Sequence, residues 1–178
     1  MQTITASRAQ RTKTLIVSAD SQGYTSTVAR AIGARLQSRG HDVHFGDALS
    51  GQPPAPAEYD AVIFGAEHGA RVDRRALAAY IARHRELLGR IPTGLFVVNR
   101  SRSRGDARAP IEVLETSIGW RPSYAAGIDC AHLGISRTLL RRFMRFLLRR
   151  LDVSIASSST EEIRALVAAM ERAVARRR

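Results

Sequence analysis

Three apolar runs that do not alternate constrain this chain more than any other feature. Leu15-Ile16-Val17, Val62-Ile63-Phe64 and Leu95-Phe96-Val97-Val98 place large side chains consecutively, where a half-exposed strand would interleave polar ones. A strand written this way is buried on both faces, as in a parallel sheet covered by helices on each side. Helical spacing follows the runs, with Val28, Ile32 and Leu36 after the first and Leu77, Tyr80, Ile81 and Leu88 after the second. Two weaker strands, over 41–45 and 122–129, bring the expected total to five. Further helices are expected over 110–118, 136–151 and 160–174, the last with a capping box of Ser159 and Glu162. Such alternation predicts an α/β fold, a doubly wound parallel sheet whose ligands sit outside the carboxyl ends of its strands. The stretches 18–25, 66–73 and 99–108 are then the loops that converge there.

The first of these loops carries the most chemistry. After the first strand come Asp20, Ser21, Gln22, Gly23, Tyr24 and Thr25, and then a helix. The leading N–H groups of a helix lack intrahelical partners and sit at the positive end of its dipole, so this turn is an anion pocket. Gly23 lets the backbone turn tightly, and hydroxyls stand close by. The spacing matches neither G-x-G-x-x-G nor the P-loop, and suits a mononucleotide phosphate better. A turn into a helix also wants glycine and a hydroxyl cap for purely structural reasons, so both readings stand at this point.

Composition narrows the class. With 178 residues, 44% hydrophobic and 25% charged, the chain is long enough for one domain with a sizeable core. Twenty-eight basic residues against sixteen acidic ones give a net charge of +12, which calls for an anionic partner. Cys130, the sole cysteine, cannot form an internal disulfide and reads as a small buried hydrophobe in a reducing cytoplasm. No apolar run approaches a membrane span, and residues 1–12 read as a disordered polar lead-in without the apolar middle of a secretion signal.

The order of Thr14-Leu15-Ile16, the loop with Gly23 and Thr25, Val62-Ile63-Phe64-Gly65-Ala66, Val98-Asn99, Trp120-Arg121-Pro122 and Arg142-Phe143-Met144 resembles the flavodoxin-like family. Within it the pattern is most similar to the short, quinone-dependent protoporphyrinogen dehydrogenases, from about residue 13 to 172. The resemblance implies a three-layer flavodoxin-like sandwich over residues 13–178 and FMN as cofactor. It implies that residues 20–25 hold the phosphate, while Ala66, Glu67 and His68 flank the ring together with Val98, Asn99 and Arg100. It further implies a porphyrinogen substrate, a quinone acceptor and a place on the inner face of the membrane. Two residues depart from the family pattern. Asp20 stands where flavodoxins present a hydroxyl to the phosphate, and like charges repel. Glu67 would stand beside a reduced, anionic flavin. These departures support an alternative: a binding module that keeps the fold, has lost FMN and acts without redox chemistry.

The remaining features each have two readings. Arg100, Arg102, Arg104 and Arg108 are either a solvated loop or a clamp for carboxylates or a phosphate. Stretch 136–151 is an amphipathic helix, with Leu139, Phe143 and Leu147 on one arc and Arg141, Arg145 and Arg149 opposite. It lies on an anionic membrane surface, packs on the sheet, or meets a second copy of the chain. His68 is a loop residue or a proton donor, His132 a pocket residue or none, and His41, His44 and His84 are surface residues. The arginine loop lacks the aromatic platforms that single-stranded nucleic acid requires, so no specific nucleic-acid partner is expected.

Overall fold

The computed structural model describes residues 11–20, 23–50, 52–99, 109–130 and 157–177. Its strands are β1 (Lys13–Ser18), β2 (Asp42–Asp47), β3 (Ala61–Glu67), β4 (Thr93–Asn99) and β5 (Tyr124–Asp129). Its helices are α1 (Tyr24–Ser38), α2 (Arg71–Arg83), the single turn α3 (Arg85–Leu88), α4 (Ala109–Ile118) and α5 (Ser157–Ala175). All strand pairs are parallel, in the order β2-β1-β3-β4-β5. The doubly wound parallel sheet expected from the apolar runs, and the three-layer sandwich the resemblance implies, are the fold observed.

Side-chain alternation along each strand divides the core into two layers. Ile16, Ile63, Phe96, Val98 and Ile128 face α1 and α5, meeting Val28, Ile32, Ile163, Leu166 and Met170. Leu15, Val17, Val62, Phe64, Leu95 and Val97 face α2 and α4, meeting Leu77, Ile81, Ile111 and Leu114. Full burial of each such side chain contributes about 1.5–3 kcal/mol, so both layers are needed to hold the sheet. Trp120 lies half-buried at the edge of the second layer, its ring edge-on to Phe64 at 5.4 Å between centroids.

The helix α1 ends where the sequence places its glycine. Gly40 adopts φ +88°, its N–H bonds to the Gln37 carbonyl at 2.9 Å, and the His41 N–H reaches back to Leu36 at 3.1 Å. Three helix boundaries differ from expectation. Helix α2 begins at Arg71 rather than 74, so Asp73 lies buried in its first turn instead of in a loop. It also breaks at His84 (φ −112°) before the turn of α3, where one continuous helix was expected. The helix α5 begins at Ser157, two residues ahead of Ser159, the expected N-cap. The expected helix 136–151, the arginine stretch 100–108 and His132 lie outside the described residues.

Candidate functional site

The carboxyl ends of β1, β3, β4 and β5 meet in one place because backbone bonds continue past the strand ladders. The Ala19 N–H donates to the Gly65 carbonyl at 3.1 Å, the His68 N–H to Val98 at 2.9 Å, and the Cys130 N–H to Asn99 at 2.9 Å. Each loop therefore leaves the sheet from a pinned start. The turn from β1 to α1 enters the helix through Gly23, whose φ of +91° is open to glycine and strained for other residues. Gly23 is the N-cap and has no side chain to cap with. Asp20, three residues upstream, caps instead. One carboxylate oxygen accepts the Gly23 N–H at 2.6 Å, and the other accepts the Ser26 N–H at 2.7 Å. Two N–H donors at the head of α1 thus converge on one carboxylate, which stands in for an external anion.

The neighbouring hydroxyls are turned away from this point. Ser26 Oγ and Thr27 Oγ1 both donate to the Gly23 carbonyl, at 3.1 and 2.9 Å. Thr25 is fully buried on the sheet-facing stripe of α1 that also carries Val28, Ala29 and Ile32. Its Oγ1 has no hydrogen-bond partner among the described residues.

The turn from β3 to α2 is short. Its helix starts at Arg71, so only His68, Gly69 and Ala70 connect the two elements, with Gly69 at φ +89°. Glu67 is the last residue of β3, opposite Val98, and only 6% exposed. Around it the described part of the site end is acidic, although the whole chain carries +12. Burial first, and then the carboxylates of Asp129, Glu162 and Glu67, push the Cys130 thiol up to about 11. Burial, and then Asp129, also raise Glu162 above the ordinary carboxylate range. No group of three or more His, Cys, Asp or Glu among the described residues is arranged to hold a metal ion.

A family model for the flavodoxin domain matches residues 15–147, about three quarters of the sequence. The chain belongs to the flavodoxin domain family. No curated protein matches the sequence. Solved flavodoxins share the fold at low identity. One from the domain Archaea matches with TM-score 0.53 and 15% identity over 90% of this chain and 98% of its own. Oxidised Flavodoxin 2 from Bacillus cereus gives 0.52 and 14% over the same shares. The flavodoxin of Streptococcus pneumoniae TIGR4 gives 0.51 and 13%, again over 90% and 98%.

Within this flavodoxin domain the sequence-derived residues sort by position. Asp20, Gly23 and Tyr24 surround the head of α1, and Asn99 ends β4 at the same end of the sheet. Tyr24 and Thr25 are helical, not loop, because the dipole end of α1 begins there. Ala66 and Glu67 belong to β3 rather than to a loop, because the ladder with β4 runs as far as Glu67. Ala66 faces the α2 layer and Val98 the α1 layer, both buried. His68 is exposed on the turn. Ser21, Gln22 and Arg100 lie outside the described residues. His41 pairs with Glu171 at 3.3 Å, His44 bonds the Tyr59 hydroxyl at 2.9 Å, and His84 packs on the Tyr80 ring. Asp129 and Glu162 were not singled out as site residues. Their only signal was position, one at the end of a strand and the other in the first turns of a helix. Two cavities of about 380 and 640 Å³, sharing Arg90, Ile91 and Arg177, lie at the opposite end of the sheet.

The fit to FMN follows from the cradle. Its donors are set for an anion, as the bonds to Asp20 demonstrate, and a phosphate would take the same two N–H groups. The Ser26 and Thr27 hydroxyls are already spent on the Gly23 carbonyl, and the Thr25 hydroxyl, unpartnered among the described residues, lies buried. Among the described residues there is also no helix long and apolar enough to cross a membrane.

Proposed function

We propose that this flavodoxin-family chain is an FMN-dependent oxidoreductase acting on a small anionic substrate. The observation that supports it is the convergence of the Gly23 and Ser26 N–H groups on one negative group at the carboxyl end of β1. The N–H groups of Gly23 and Ser26 would hold the phosphate, with Ser21, Gln22, Tyr24 and Thr25 around it. Glu67 and His68 would flank the ring on one side, and Asn99 and Arg100 on the other, with Ala66 and Val98 behind them in the core layers. FMN, when bound, supplies the electron transfer; the chain supplies position and shielding. Buried Glu67 would disfavour negative charge on whatever lies beside it. In the finer form of this reading the substrate is a porphyrinogen, held through its carboxylates by the arginine loop 100–108, and the acceptor is a quinone. The helix 136–151 would then bring the protein to the inner face of the membrane.

The test is the absorbance spectrum of the purified protein before and after FMN is added, with calorimetric titration alongside. A flavin spectrum perturbed on binding, and quinone reduction dependent on protoporphyrinogen, are the expected results. Absence of FMN binding at any accessible concentration would sink the reading. The same carboxylates favour a second reading, a binding module without redox chemistry. In that case neither Asp20→Ser nor Glu67→Gln would create flavin binding.

A further inference from the structure

We infer that Asp20 is a built-in competitor for the phosphate cradle, so that a phosphorylated ligand enters only by displacing it and remains exchangeable. Because Gly23 has no side chain, the N–H groups of Gly23 and Ser26 need an acceptor from elsewhere. Asp20 meets both with separate oxygens at 2.6 and 2.7 Å, short as charge-assisted bonds are. The carboxylate is tethered three residues from one donor and six from the other. Its effective concentration at the cradle therefore far exceeds that of a free anion. An incoming phosphate gains the two N–H bonds that Asp20 gives up, so the exchange is close to balanced. The displaced carboxylate then stays nearby and repels the new occupant. Among the described residues, the Ser26 and Thr27 hydroxyls are committed to the Gly23 carbonyl and so do not offset that repulsion. The phosphate of FMN therefore contributes little to its own binding, in contrast to a cradle with no internal anion.

This inference rests on the flavin reading for its ligand but not for its test. FMN, riboflavin and inorganic phosphate are titrated calorimetrically into the unmodified chain, Asp20→Ser and Asp20→Asn. Both variants are also melted, to confirm folding. Serine keeps a short cap, and asparagine keeps an oxygen acceptor without the charge. The unmodified chain is expected to bind FMN and riboflavin within about tenfold of each other, and Asp20→Ser to tighten FMN by about tenfold or more with riboflavin unchanged. Asp20→Asn should show a smaller gain. If neither flavin binds any form but inorganic phosphate binds Asp20→Ser alone, the flavin reading falls and the role of Asp20 stands. A folded Asp20→Ser that gains neither FMN nor phosphate affinity would overturn the inference. So would an unmodified chain that prefers FMN over riboflavin by about a hundredfold or more.

Discussion

At Gly65 the sheet leaves no room for a side chain. A Cβ there would meet Phe96 Cζ at 2.1 Å, because the Phe96 ring on the neighbouring strand fills the space above the β3 backbone. Gly65→Ala should therefore destabilise the fold by about 1–3 kcal/mol, the usual cost of overpacking. Thermal unfolding measures this, and Phe96→Leu introduced with it should recover part of the loss. Additive losses in the double variant would show that the two residues do not compete for space. Cys130 supports a second expectation. Its thiol is pushed up to about 11 by burial and by the carboxylates of Asp129, Glu162 and Glu67. It should resist alkylation at pH 8 in the native protein and react fully in denaturant. The sign for stability follows. A folded pKa above the ordinary 9.0 stabilises fully below pH 9, and that contribution is lost as pH rises toward 11. At this scale the sequence reading went furthest with Asp20 and Glu67, both recognisable as carboxylates in unexpected places. The direction of Asp20 was not legible. A capping bond to a residue six positions away depends on the path of the turn, not on local pattern.

Elements were legible where their cause was local. Strand β4 has the limits its apolar run gives, and α1 stops at the glycine that ends it. Helix starts were less visible. Arg71, Val72 and Asp73 carry no apolar periodicity, so nothing in the sequence drew α2 back toward β3. The consequence is structural, since the turn after β3 shrinks to three residues and Asp73 becomes buried. A long-range bond also joins this helix to the proline-rich connection between β2 and β3. The Tyr80 hydroxyl donates to the Pro54 carbonyl at 2.6 Å, and burial raises its pKa further above the usual phenol value. Tyr80→Phe leaves that carbonyl without its donor. It should cost about 1 kcal/mol, read as a lower urea midpoint with an unchanged slope. A fall in the slope as well would point instead to loosening of the whole connection.

For the molecule as a whole, the architecture could be read because five strands and their helices repeat one rule, and that rule is set by hydrophobicity alone. The chemistry of the site end follows a different logic. It depends on which side chains several separated segments bring to one point, and no periodicity records that. The acidity around Glu67, Asp129 and Glu162 emerged only when β3, β5 and α5 were placed together. One further consequence lies in the way α5 completes the core. Ile163, Leu166, Val167, Met170 and Val174 belong to the same apolar layer as α1, and Met170 and Leu166 rest in the gap above Gly94. Every strand precedes that helix in the chain. During synthesis the face of the sheet that carries Phe96 and Ile128 has no complete cover until residues 157–174 have left the ribosome. That exposed face gives chaperones, or an identical nascent chain on a neighbouring ribosome, an opportunity to bind before the domain can close.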